Sequence, residues 1–133
     1  MAGLLQAVKD AKRVYIIGNG GSYANAMHIQ NDLLSCGIAA FTMDPSTLTA
    51  FANDHGYDVA FAKWLNVVAT KDDLLIALSG SGKSPNILKA CGAAEAIGMK
   101  IHREFGAAQG LDMQAAEESQ VRLGHIILKF LRG

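Results

Sequence analysis

Four residues in this chain have the types and spacing to move protons or to hold a cation. His28 and Asp32 stand four apart in a stretch of helical periodicity, so they share one helix face. A metal pair, an acid–base pair and an ordinary i,i+4 contact all fit that spacing. Glu117 and His125 lie in the last helical stretch. Glu117 sits among Glu118, Ser119 and Gln120, the pattern of a solvated face, whereas His125 interrupts Val121, Leu123, Ile126, Ile127 and Phe130. Residues eight apart on one helix are displaced by ~12 Å along its axis. Two ligands of one ion each lie about 2 Å from it. A shared ion on Glu117 and His125 therefore predicts either a distortion near Gly124 or ligands drawn from different subunits.

Two turns rich in glycine and serine supply the other chemistry. The apolar run Val14 to Ile17 ends in Gly18-Asn19-Gly20-Gly21-Ser22, and helical spacing begins at once from Tyr23. A strand, a glycine turn and a helix N-terminus in that order form a cup of backbone N–H groups suited to a phosphate. His28 and Asp32 are expected just above that cup, with Ser22 as the N-cap and Gly37 as the helix stop. The second turn, Ser79-Gly80-Ser81-Gly82-Lys83-Ser84, follows the run Leu74 to Leu78 and precedes a helix opened by Pro85. Its hydroxyls suit an anion without arginine. Neither turn is a nucleotide motif. A P-loop would need glycine where Ala77 stands, and a dinucleotide fingerprint would need its third glycine at Tyr23.

The elements that must position these residues alternate strand and helix throughout. Strands are expected at Val14–Ile17, Ala39–Thr42, Leu74–Leu78 and Met99–His102. Helices are expected at Tyr23–Ser35, from about Thr47, from Asp58, from Pro85 to Gly98, and from about Asp112 to Leu131. That order means a three-layer, doubly wound parallel sheet in a single α/β domain over residues 1–133. In such sheets ligands collect at the carboxyl ends of strands near the point where strand order reverses, so the two turns would face one ligand together. The connection Arg103 to Leu111 is too short for a loop, a fifth strand and a return, which predicts a sheet of four strands or an absent segment.

Composition narrows the function classes. Charges cancel at 12 basic and 12 acidic side chains, and the lysines and arginines are scattered. Nucleic acid and anionic membrane surfaces are therefore not expected partners. No apolar run approaches the ~20 residues of a spanning helix. The opening residues lack a signal peptide's basic head, and Cys36 and Cys91 have no paired spacing, so a reduced cytoplasmic compartment is expected.

Taken together, Gly18 to Ser22, His28 with an acid at position 32, Thr49-Ala50-Phe51-Ala52-Asn53-Asp54, Ser79 to Asn86, and a closing helix with His125 resemble the phosphoheptose isomerases. These belong to the sugar isomerase (SIS) domain superfamily. The likeness covers about Val14 to Ile101 and resumes in the last helix. It implies a flavodoxin-like SIS fold and conversion of sedoheptulose 7-phosphate to D-glycero-D-manno-heptose 7-phosphate, feeding activated-heptose glycan synthesis. It also implies homotetramers with sites at subunit interfaces. Asn19, Gly20 and Gly21 would touch substrate with Asn53 and Asp54 nearby, and Ser79, Ser81 and Ser84 would hold the phosphate. Ser22, Gly80, Lys83 and Glu117 complete the implied substrate set. Zinc ligands would fall on His28, Asp32, Glu117 and His125, with Asp32 as base and His125 as its acid–base partner.

The chain departs from the family pattern in several places. Asp32 stands for glutamate, Glu117 for glutamine, Asn25 for aspartate, Gly80 for a phosphate-binding threonine and Lys83 for asparagine. A long N-terminal helical segment and a glycine-rich loop after the fourth strand are missing from the pattern. The alternative is a non-catalytic SIS module binding a sugar phosphate or a protein, as do relatives that bind the bacterial replication initiator.

Overall fold

The computed structural model describes residues 1–133. In chain order the elements are α1 (Ala2–Asp10), β1 (Val14–Ile17), α2 (Gly21–Ser35), β2 (Ala40–Phe41), α3 (Pro45–His55), α4 (Ala60–Val68), β3 (Leu74–Ser79), α5 (Pro85–Ile97), β4 (Lys100–Phe105) and α6 (Met113–Arg132). Single 3-10 turns occupy Tyr57–Val59 and Gly106–Gln109. The four strands are parallel in the order β2-β1-β3-β4, with Val14 beside both Ala40 and Leu74 and Ser79 beside Phe105.

Alternation along the strands sorts the core into two layers. Val14, Ile16, Leu74, Ile76 and Leu78 pack with Val8 of α1, Ala26, Ile29 and Leu33 of α2, and Leu123 and Ile127 of α6. Tyr15, Ile17, Leu75 and Ala77 face the other way, onto Phe61 and Leu65 of α4 and Ile87, Ala90 and Ala94 of α5. Both faces of β1 and β3 are thus covered, which is why these strands read as unbroken apolar runs. Strand order reverses between β1 and β3, so their carboxyl ends lie side by side at the crevice where such sheets take ligands.

The doubly wound expectation holds, with several boundaries shifted. Residues 2–10, unassigned from sequence, form α1 and bury Leu4 and Val8. The helix α3 starts at Pro45 because the Asp44 carboxylate accepts from Thr47 N at 3.0 Å and caps it. The short connection is resolved by extending β4 to Phe105 and following it with one 3-10 turn, so the sheet stops at four strands.

Candidate active site

The first turn differs from the sequence reading in its cap. Gly20 takes φ 54°, a left-handed conformation open to glycine, and α2 begins at Gly21. Ser22 is therefore inside the helix, not its N-cap. Its buried hydroxyl accepts from Gln120 Nε2 of α6 at 2.9 Å.

The second turn is ordered by its own serines. Ser79 Oγ accepts from Gly82 N at 3.0 Å and lies 3.4 Å from Ser84 Oγ, and Ser81 Oγ accepts from Lys83 N at 3.1 Å. A hydroxyl that accepts from backbone keeps its own O–H to donate, so the turn retains donors for an anion. Ser84 and Pro85 start α5 immediately behind it, adding the positive end of a helix.

A reciprocal amide pair joins the two turns. Asn19 Nδ2 donates to Asn86 Oδ1 at 2.9 Å, and Asn86 Nδ2 donates to Asn19 Oδ1 at 2.8 Å. Beside it, Gly18, Asn19, Gly20, Tyr23, Pro45, Leu48, Thr49 and Tyr57 line a cleft of about 240 Å³. Asn53 and Asp54 sit on the last turn of α3 outside that lining, and Asn53 Nδ2 donates to Asp54 Oδ1 at 3.2 Å.

The titratable set lies elsewhere. Helices α2 and α6 pack side by side and run in the same direction, with contacts at successive levels. Glu117 abuts Gly21 at the α2 N-terminus. Gln120 meets Ser22 and Asn25. Gly124 lies against Ile29, where a Cβ would come within 2.9 Å of Ile29 Cγ1. At the same level the His28 and His125 rings are 6.2 Å apart, and His28 Nε2 is 3.4 Å from Asp32 Oδ2. His28 and Asp32 are therefore not just above the glycine cup: seven and eleven residues beyond Gly21, they stand ~10 and ~16 Å along the helix.

The four expected metal ligands divide in the same way. Glu117 is at the cup, while His28, Asp32 and His125 are at the far level. The helix α6 runs unbroken through Gly124, so the expected distortion does not occur. Within one chain no three His, Cys, Asp or Glu side chains converge on an ion position, and the set does not fit a single-chain metal centre. Asp32 Oδ2 is buried without a hydrogen-bond partner, a carboxylate oxygen with unused capacity.

A SIS domain family profile matches residues 2–102. A phosphoheptose isomerase from Burkholderia pseudomallei strain 1710b is 34% identical over 141 residues, covering 93% of this chain and 72% of the relative. One from Aeromonas hydrophila is 37% identical over 131 residues, covering 92% and 67%. The chain belongs to the phosphoheptose isomerase family of SIS domains. Solved structures agree. The phosphoheptose isomerase GmhA from Neisseria gonorrhoeae superposes with TM-score 0.85 at 27% identity, over 97% of this chain and 80% of that one. A phosphoheptose isomerase from Francisella tularensis gives 0.87 at 25%, over 98% and 83%.

Two departures from the phosphoheptose isomerase pattern can be placed among their neighbours. A Cβ at Gly80 would stand 2.6 Å from Met113 Sδ, so the Met113 side chain from the first turn of α6 would have to swing aside to admit threonine. The short β4–α6 connection brings α6 there: Ala107 N donates to Gly80 O at 2.9 Å, and Gly106 is pressed onto Ala116. Glu117, in place of glutamine, sets its negative carboxylate against the positive end of α2. Sequence reasoning missed Tyr57, Asn86 and Gln120 as site-shaping residues. Asn86 lay inside the motif Ser79 to Asn86, but Tyr57 and Gln120 carry no periodic signal.

Proposed function

We propose that this chain is an aldose–ketose isomerase converting sedoheptulose 7-phosphate to D-glycero-D-manno-heptose 7-phosphate through an enediol. The observation that carries this is the pairing of two donor-bearing turns at the strand-order reversal, tied by Asn19 and Asn86, in a chain of this family. The serine turn with Lys83 takes the phosphate, and the glycine turn takes the sugar's hydroxyl chain. Proton transfer between adjacent carbons falls to a carboxylate and an imidazole, Asp32 and His125. His28 stands between them at the far level of α2 and α6.

Asp32 stands ~16 Å along α2 from the glycine turn of its own chain, as the helix rise requires, and His28 and His125 lie near it at that end of the helix pair. We therefore infer that copies of the chain associate, so that the turns of one meet the His28, Asp32 and His125 face of another. Zinc belongs to the same proposal. Glu117 and His125 cannot share an ion from one unbroken helix, so ligands from different subunits would hold it, and a bound divalent ion would polarise the sugar oxygens.

The test is to incubate purified protein with sedoheptulose 7-phosphate and follow aldose formation, alongside a panel of six- and seven-carbon sugar phosphates. Aldose from the heptose is the expected result. Sugar-phosphate binding without turnover of any panel member would instead mark a non-catalytic binding module.

A further inference from the structure

The sugar subsite is polarised by a residue outside the motifs. Asn19 Oδ1 accepts from Asn86 Nδ2 at 2.8 Å and from Tyr57 Oη at 2.6 Å, which uses both of its lone pairs. One N–H of Asn19 is spent on Asn86 Oδ1, leaving the other uncommitted. The orientation is set from the backbone outward. Ile87 N donates to Asn86 Oδ1 at 3.0 Å, and Asn86 is 2% exposed, so its NH2 must face Asn19 Oδ1. A flipped Asn19 amide would set donor against donor and acceptor against acceptor at Asn86.

We propose that Tyr57 is a positioning and specificity-determining residue for the sugar hydroxyl that occupies the 240 Å³ cleft, a reading that rests on the heptose phosphate binding that the isomerase function above requires. The Tyr57 proton is committed to Asn19, so Tyr57 Oη offers lone pairs. The Asn19 amide, with its oxygen filled, offers an N–H. Together they present one donor and one acceptor at the wall of the cleft. A hydroxyl is the group that satisfies both at once, accepting from Asn19 Nδ2 and donating to Tyr57 Oη. An anion would find the tyrosine lone pairs opposed to it, so phosphate is directed to the serine turn. Tyr57 is half exposed and contributes to neither core layer, so removing its hydroxyl leaves the fold intact.

The experiment is calorimetric titration of the full chain with sedoheptulose 7-phosphate and, separately, inorganic phosphate. Four proteins are compared: wild type, Tyr57→Phe, Asn19→Ala and the double variant. Tyr57→Phe is expected to weaken heptose phosphate binding about 5- to 10-fold, the scale of one hydrogen bond, and to leave phosphate binding unchanged. In the Asn19→Ala background the same change is expected to cost less than in wild type, because the tyrosine no longer orients the amide and loses only its own bond to the hydroxyl. Wild-type affinity in Tyr57→Phe, equal losses for both ligands, or fully additive single effects would each overturn the proposal. Heptose phosphate binding without turnover in the wild type would overturn the isomerase reading and leave this one standing. Absence of heptose phosphate binding in the wild type would overturn both.

Discussion

Glu104 shows how far one side chain can be committed to holding the shortened end of the sheet. It lies on β4, 8% exposed, with His102 Nε2 at 2.9 Å, Ser119 Oγ donating at 3.1 Å and Gln109 Nε2 at 3.5 Å. These donors come from the strand, from α6 and from the 3-10 turn between them. The His102 imidazole holds the Glu104 carboxyl below the usual carboxylate range, outweighing the burial that would raise it. A carboxyl depressed on folding adds stability that is present above its unfolded value, about 4.3, and is lost as pH falls through the folded value. Glu104→Gln should cost about 1–3 kcal/mol at pH 7, since it sets an NH2 group among donors. The gap from wild type should narrow below about pH 4 in urea midpoints measured across pH. A gap constant from pH 7 to pH 3 would show that the carboxylate charge contributes nothing. At this scale the sequence was partly legible. The four-residue spacing of His28 and Asp32 does place them in contact. The approach of Met113 to Gly80 was not legible, because the two lie thirty-three positions apart.

Between elements, the packing of α2 on α6 decides which side chains meet. Gln120 is fully buried, accepts from Asn25 Nδ2 at 2.9 Å and donates to Ser22 Oγ at 2.9 Å, while Asn25 also donates to Glu117 O at 3.2 Å. This polar pin lies one turn before the Gly124–Ile29 approach, and the two fix the level at which His125 reaches His28. Gln120→Leu would leave Ser22 and part of Asn25 without partners, at about 1–3 kcal/mol, or a Tm lower by roughly 3–10 °C. Turnover should fall as well, since the rings would lose their shared level. An unchanged Tm in calorimetry would show that apolar packing alone sets the register. Apolar runs made β1, β3 and the helices readable, but not this pin. A lone glutamine on a helix reads as solvated until its neighbour is known. The strand β4 was cut short at His102 for a similar reason: Arg103 and Glu104 look unlike a strand interior, yet an edge strand tolerates charge.

Across the molecule, the doubly wound fold and the adjacency of the two turns followed from strand–helix alternation, but the place of His28, Asp32 and His125 did not. Helix spacing says which residues share a face and is silent on how far that face stands from a ligand. His28 and His125 are exposed and Asp32 is half-buried, and the same two helices carry exposed apolar side chains. Met27 and Leu34 on α2 are 38% and 48% exposed, and Val121, Ile126 and Phe130 on α6 are 37–39% exposed. Single exposed apolar residues are ordinary. Five on two adjacent helices form the apolar surface that the proposed association would bury. Light scattering should therefore find wild type as a multimer. Ile126→Glu should drive it toward single-chain mass with its helical circular dichroism retained, because Ile126 belongs to neither core layer. Turnover should be lost with the multimer and recover in part at high protein concentration, where mass action restores association. A wild type that is monomeric and fully active would place the acid–base chemistry within one chain, and the ~16 Å separation of Asp32 along α2 would then need a different bridge.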